Sequence, residues 1–216
     1  PIYLEGLGTV AAYATVTVRP RVEGRLDAVL FREGQTVRRG EVLAQIDPRP
    51  FQIQLQQAQA LVARDRAQLD VGRTTFERSR SLLEQNLIAR QEFDTARGTF
   101  EQLQAAVRAN EAQAANARLS LDYARVTSPI DGVTGLRLID AGNVVRTTDG
   151  IVVVTQIDPI AVMFQLPQDE LPRVAERMAQ GALPVEVYSR DGDTRIATGE
   201  LAVIDNQINA ATATAR

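Results

Sequence analysis

The side chains in this sequence that could do chemistry are carboxylates, hydroxyls and guanidiniums. Its 24 basic residues are all arginine, and lysine, histidine, cysteine and tryptophan do not occur. That composition removes the thiolate nucleophile, the imidazole base, the ligand sets of zinc and haem sites and any disulfide framework. An enzyme built on this chain would have to run on carboxylates, hydroxyls and arginine alone, so the chain is read as a non-enzyme. No catalytic, cofactor-binding or metal-ligating residue is assigned. The arginines are interleaved with 27 acidic residues, for a net charge of −3 and a pI near 5.2. This is not the clustered basic charge that a nucleic-acid partner needs.

A chain of 216 residues, 44% of them hydrophobic, can bury one or two small cores. It contains no run of about 18 apolar residues, the length a bilayer-spanning helix requires. The sequence starts directly in the extended pattern "PIYL" and ends on "INAATATAR" without a stop signal. It therefore reads as a piece cut from a longer chain at both ends, with any targeting segment upstream of Pro1.

The stretch "VEGRLDAVLFREGQTVRRGEVLAQID", Val22 to Asp47, reads like the first half of a lipoyl or biotinyl carrier domain. Its second half is "SPIDGVTGLRLIDAGNVVRTTDGIVVVTQID", Ser128 to Asp158. Gly24 and Gly132, Gly34 and Gly142, and Val37 and Val145 each lie 108 residues apart. The closing Gln45-Ile46-Asp47 returns as Gln156-Ile157-Asp158 at a spacing of 111, so the second half carries three extra residues. The glycines fall between short apolar runs, where tight turns need positive φ. A lone half would leave its apolar face bare, so the two must pair into a small flattened β-sandwich. A working carrier domain presents a lysine on the hairpin between its halves; with no lysine here, the sandwich is a structural module.

What separates the halves is helical. From Phe51 to Tyr123 there is no proline and only two glycines, Gly72 and Gly98, in a background of Ala, Gln, Arg and Glu. In the first arm Leu55, Val62, Leu69, Phe76 and Leu83 recur every seven residues, with Phe51, Ala58, Asp65, Gly72 and Ser79 on the offset row. In the second arm Phe93, Phe100, Val107, Ala114 and Leu121 recur likewise, beside Ala96, Leu103, Asn110 and Ala117. Sustained heptads are coiled-coil spacing, and they predict that Phe76 and Phe100 are among the best-buried residues of the pair. The turn lies in "LEQNLIARQE", and because both ends return to one sandwich the helices are antiparallel. Arg64, Asp65, Arg66, Glu77, Arg80 and Glu101 are read as a solvated face or as pairs across the hairpin.

After Asp158 the runs "PIAVMFQLP", "PVEVYS" and "RIATGELAVID" are β-rich, the last two separated by the turn "RDGDT", and Leu171 to Ala179 reads as a short helix with Pro172 in its first turn. These strands suit a small β-barrel that they are too few to close, with Pro1 to Gly8 supplying one more. The fold class is therefore α+β: a split lipoyl-like sandwich with an inserted antiparallel coiled-coil hairpin, plus a partial β-barrel. Its parts are residues 1–13 as a β segment of the barrel, 14–48 and 124–158 as the sandwich halves, 49–123 as the hairpin, and 159–216 as the incomplete barrel.

This nested order resembles the periplasmic adaptor, or membrane fusion, family of bacterial tripartite efflux pumps, in its RND branch. The resemblance rests on "GLGTV", "VEGRLDAVLFREGQTVRRGEVLAQIDP", "SPIDGVTGL", "DAGNVV", "GIVVVTQIDPIAVMFQLP" and "DNQIN", which span the chain in order. It implies a hexameric ring linking an inner-membrane RND transporter to a TolC-like outer-membrane channel. It also implies a periplasmic location, with an inner-membrane anchor on a segment this chain lacks, and no cofactor. The alternative within the class is the adaptor of an ABC-driven efflux or type I secretion system. Outside it stands the carrier module of an enzyme complex, which the missing lysine disfavours.

The family engages the channel through a hairpin-tip signature of Arg, Leu four positions on, and Ser seven further. Arg78 and Leu82 match, and Ala89 stands where the serine is expected. "ATATAR" likewise has Ala213 where the family pattern has glycine. Independently of the resemblance, Arg78 and Leu82 share one helix face beside the Phe76/Leu83 row and make a reasonable contact patch; the competing reading is that Leu82 only widens the apolar seam. Were residue 89 serine, "ARQE" would be a capping box with Glu92.

Overall fold

The computed structural model describes residues 4–189, 192–206, 208–209 (backbone only) and 212–216. The first three residues of the Pro1–Gly8 segment, the start of the "RDGDT" turn and position 207 of "DNQIN" lie outside the described residues. The chain divides into two compact units, residues 14–156 and residues 1–13 with 157–216.

The larger unit holds two four-stranded sheets. The strands are β1 (Gly8–Val18), β2 (Gly24–Val29), β3 (Thr36–Val37), β4 (Val42–Ile46), β5 (Arg125–Thr127), β6 (Gly132–Arg137), β7 (Val144–Val145) and β8 (Val152–Phe164). They are ordered β1-β8-β6-β3 and β5-β4-β2-β7, and β1 and β8 continue past the division between the units. The two halves found by sequence repeat exchange partners. Gly24 pairs with Val145 and Val37 with Gly132, each antiparallel. Gly34 and Gly142, the matched turn glycines, both have positive φ, 77° and 96°. Leu26, Leu43, Ile46, Val145, Ile151 and Val152 are fully buried between the sheets, each contributing roughly 1.5–3 kcal/mol of apolar transfer. Both halves supply this core, so neither could hold its strands alone.

Between β4 and β5 run α1 (Arg49–Glu84) and α2 (Arg90–Tyr123), about 50 Å each at 1.5 Å per residue. Asp47 starts the first. Its carboxylate accepts from the Arg49 amide at 3.1 Å and from the Arg49 guanidinium at 2.9 and 2.7 Å, ahead of Pro50 in the first turn. The helices pack against each other antiparallel: Asp65 meets Asn110, Gly72 meets Leu103 and Phe76 meets Phe100, one partner number rising as the other falls. Every residue of the four heptad rows is buried or half-buried.

One expectation fails within this seam. Phe76 and Phe100 stack at 5.2 Å, with Phe93 at 5.6 Å from Phe76, yet all three rings are only half-buried. The buried positions of the pair are Ala58, Val62, Asp65, Val107 and Ala117. Two helices share a single seam, and from Leu69 and Leu103 to the tip none of its residues, small or large, is fully covered. The charged residues divide between the two readings. Arg66 pairs with Glu111 across the helices, whereas Arg73–Glu77, Arg80–Glu84 and Arg97–Glu101 are i,i+4 pairs along one helix, and Asp65 is buried with Arg64 and Asn110 as its partners.

The smaller unit contains β9 (Leu166–Pro167), a 3-10 turn at Gln168–Glu170, α3 (Leu171–Gln180), β10 (Pro184–Tyr188), β11 (Arg195–Glu200), β12 (Ile208–Asn209) and β13 (Thr214–Ala215). β10 and β11 form a hairpin, and β13 lies between β12 and β9. The strands stop short of closing, leaving a trough lined by Val162, Leu166, Val185, Val187 and Ile204 among others. Pro172 sits in the first turn of α3, as the sequence predicts.

Candidate functional site at the hairpin tip

The turn joining α1 to α2 is built by residues whose backbone roles differ. Helix α1 ends on a Schellman motif: the Asn86 amide donates to the Leu83 carbonyl and the Leu87 amide to the Leu82 carbonyl, both at 2.9 Å. This needs a left-handed residue after the C-cap, supplied by Asn86 at φ 58°, asparagine being one of the few side chains that tolerates it. Leu87 is thereby folded back toward the last turn of α1, where it stays 65% exposed.

Helix α2 starts at Ala89, whose extended backbone (φ −71°, ψ 147°) is that of an N-cap. Its carbonyl accepts from the amides of Glu92 and Phe93 at 3.1 and 3.4 Å, but its side chain makes no capping bond. The capping geometry is there without the hydroxyl that would use it.

Arg78 is exposed on α1 and makes no ion pair or side-chain hydrogen bond among the described residues, while its neighbour Arg80 is held by Glu84 at 3.2 Å. Leu82 is half-buried beside Leu83, so it widens the seam and still shows part of its surface. Arg78, Leu82 and Ala89 thus all lie on the last turns of α1 or the first residue before α2. An unpaired guanidinium, with five donors in a fixed fork, stands beside leucine side chains. Such a surface suits contact with carboxylates or carbonyls and an apolar slot. Sequence reasoning missed Asn86 and Leu87, although an asparagine directly after a helical pattern is itself a C-cap signal.

Among the described residues no group of three or more acidic side chains is arranged to hold a metal ion, and no helix is long and apolar enough to cross a membrane.

Two family models match the chain: RND MFP, barrel-sandwich hybrid domain, over residues 14–160, and RND MFPs, beta-barrel domain, over residues 159–216. The chain belongs to the RND membrane fusion protein family. Among curated members it is 46% identical to multidrug resistance protein MdtA of Klebsiella pneumoniae, over 99% of this chain and 53% of that protein. It is 45% identical to MdtA of Cronobacter turicensis, over 99% and 52%. The chain therefore spans about half the length of the curated relatives it matches. In fold it is similar to the membrane fusion protein Spr0693 of Streptococcus pneumoniae, with a TM-score of 0.70 at 18% identity over 98% of this chain and 90% of that one. MacA of Actinobacillus actinomycetemcomitans gives 0.53 at 18% identity over 96% and 68%. The nested sandwich, inserted helices and partial barrel sheet are the architecture of this membrane fusion family.

Proposed function

We propose that this chain is part of a periplasmic adaptor of an RND multidrug efflux pump. In that role it joins an inner-membrane transporter to a TolC-like outer-membrane channel and performs no catalysis. The observation that carries this reading is the 45–46% identity, across nearly the whole chain, to proteins named multidrug resistance protein MdtA. The domain assignment follows: residues 14–48 and 124–158 as the lipoyl-like sandwich, 49–123 as a coiled-coil hairpin, and 1–13 with 159–216 as part of a barrel. The unbroken alternation of three and four residues between covered seam positions supports the coiled coil. Six copies form a ring tethered to the inner membrane, hairpins outward, and Arg78 and Leu82 contact the channel, with Ala89 a tolerated replacement of the family serine. The exposed, unpaired Arg78, one turn before Leu82 on the same helix face, supports that assignment. The test is complementation: the full-length protein, expressed with its neighbouring transporter, restores drug resistance to an efflux-deficient strain only when a TolC-like channel is present. Resistance restored equally without any such channel would overturn the reading.

A further inference from the structure

Asp65 is the one buried charged residue among the described residues, 3% exposed in the middle of the helix seam. One carboxylate oxygen accepts from the Asn110 side-chain amide on the facing helix, and the other from the Arg64 guanidinium at 2.7 Å. One residue further along each helix, Arg66 and Glu111 pair across the outside of the same level. No buried side-chain polar atom lacks a partner among the described residues. Other hydrogen bonds of the helix pair lie within one helix; this level is the one where polar side chains link the two.

A carboxylate in a seam is costly to desolvate, and well-packed apolar residues in its place are often as stable or more so. Stability therefore does not explain it. The rest of the seam is held by non-directional contacts: Ala58, Ser79, Ala96 and Ala117 are small knobs that offer little shape, and the Leu103 side chain over Gly72 and the Phe76–Phe100 stack are apolar packing, which discriminates between alignments less sharply than a hydrogen bond does. A polar seam residue that is satisfied in only one alignment supplies what such contacts lack. We propose that Asp65 and Asn110 form a register lock that fixes how α1 and α2 face each other, and so how the tip residues Arg78, Leu82 and Leu87 are presented. The lock lies 13 residues from Arg78, about 20 Å along the helix. Asp65 is a positioning residue, holding geometry at a distance from any contact. Its carboxyl is kept below the usual range first by the Arg64 hydrogen bond, against the opposing effect of burial, and then by Asn110, so it stays ionised and an acceptor at neutral pH.

The proposal rests on the tip reading only for what the lock serves; the lock itself is tested on this chain alone. Because the sequence has no cysteine, an introduced pair reports alignment without background. Ser79→Cys with Ala96→Cys, two heptads tipward on the same level, reads the native register, and Ser79→Cys with Leu103→Cys reads a one-heptad shift. In the parent, oxidation closes the first pair at least about tenfold faster than the second, the ratio expected for a preference of ~1.4 kcal/mol. In Asp65→Leu/Asn110→Leu that ratio falls to about threefold or less, while helical circular dichroism and melting temperature hold or rise. Should the leucines disrupt folding, Asp65→Ala/Asn110→Ala is read the same way. Asp65→Asn, which keeps the cross-helix hydrogen bond, retains the parent ratio. An unchanged ratio in the Leu/Leu or Ala/Ala chain would overturn the lock, and so would Asp65→Asn scrambling like them.

Discussion

The Ala89 carbonyl accepts the Glu92 amide at 3.1 Å while the Ala89 side chain reaches nothing, so α2 opens with a capping backbone and no cap. Ala89→Ser stabilises the first turn by about 0.5–2 kcal/mol, the usual range for an N-cap, read as slower amide exchange at Gln91 and Glu92. Ala89→Asp gives a similar gain, since its carboxylate also accepts the bond and suits the positive end of the helix. If neither variant slows exchange, the cap assignment is wrong. The channel contact separates from the cap in vivo: if the hydroxyl itself is read, Ser raises resistance and Asp does not.

The stacked rings of Phe76 and Phe100 carry the apolar part of the seam near the tip. Phe100→Asp removes that stack and sets a carboxylate into the seam, costing about 2–4 kcal/mol given that the ring is half-buried. Helical circular dichroism falls and the helix pair melts earlier. Amide protection of Leu43, Ile46 and Val152 persists, because the sandwich core is separate. Unchanged helicity would contradict the heptad assignment.

Ala213 holds a positive φ of 48° in the turn before β13, where the family pattern has glycine. A Cβ in that region costs about 1 kcal/mol relative to glycine. The Ala213 carbonyl accepts the Gln168 amide at 3.0 Å, which makes that amide the probe. Ala213→Gly raises its exchange protection by about fivefold, the equivalent of ~1 kcal/mol; lower protection would place the strain elsewhere.

Asp47 titrates at about 2 rather than 3.8, chiefly because the Arg49 guanidinium and then the Arg49 amide hydrogen-bond its carboxylate. A folded-state pKa depressed in this way contributes stability that is complete above about pH 5 and is lost as pH falls through 4 toward 2. The melting-temperature difference between the parent and Asp47→Asn is therefore constant from pH 7 to 5 and shrinks between pH 4 and 2. A difference that persists at pH 2 would show that the start of α1 does not depend on the ionised group.

The parts of this fold written as periodicity were legible in the sequence. The 108-residue repeat located two sandwich halves, and Gly24 opposite Val145 with Val37 opposite Gly132 is that repeat turned into strand pairing. The heptads located both helices and their seam. Less legible was anything set by what stands opposite. Asp65 lies in a heptad row yet reads as a solvated charge or one of a cross-helix pair until Asn110 is known to face it, and Phe76 and Phe100 read as core until a lone helix pair is seen to leave every seam residue near its tip half-covered. At the tip the family resemblance points to Arg78, Leu82 and the Ala89 replacement, which the proposal carries forward. The turn that presents them depends on the left-handed backbone of Asn86, a conformational preference that leaves no mark on hydrophobic patterning.

The central claim is that the hairpin tip engages the outer-membrane channel through Arg78. The most direct measurement is drug resistance conferred by the full-length protein carrying Arg78→Asp, at adaptor levels matched to the parent by immunoblot. Reversing an exposed, unpaired charge does not disturb the helix, so the account predicts a stable adaptor and resistance reduced to that of the strain lacking it. A fully active pump with Arg78→Asp at normal levels would contradict the claim.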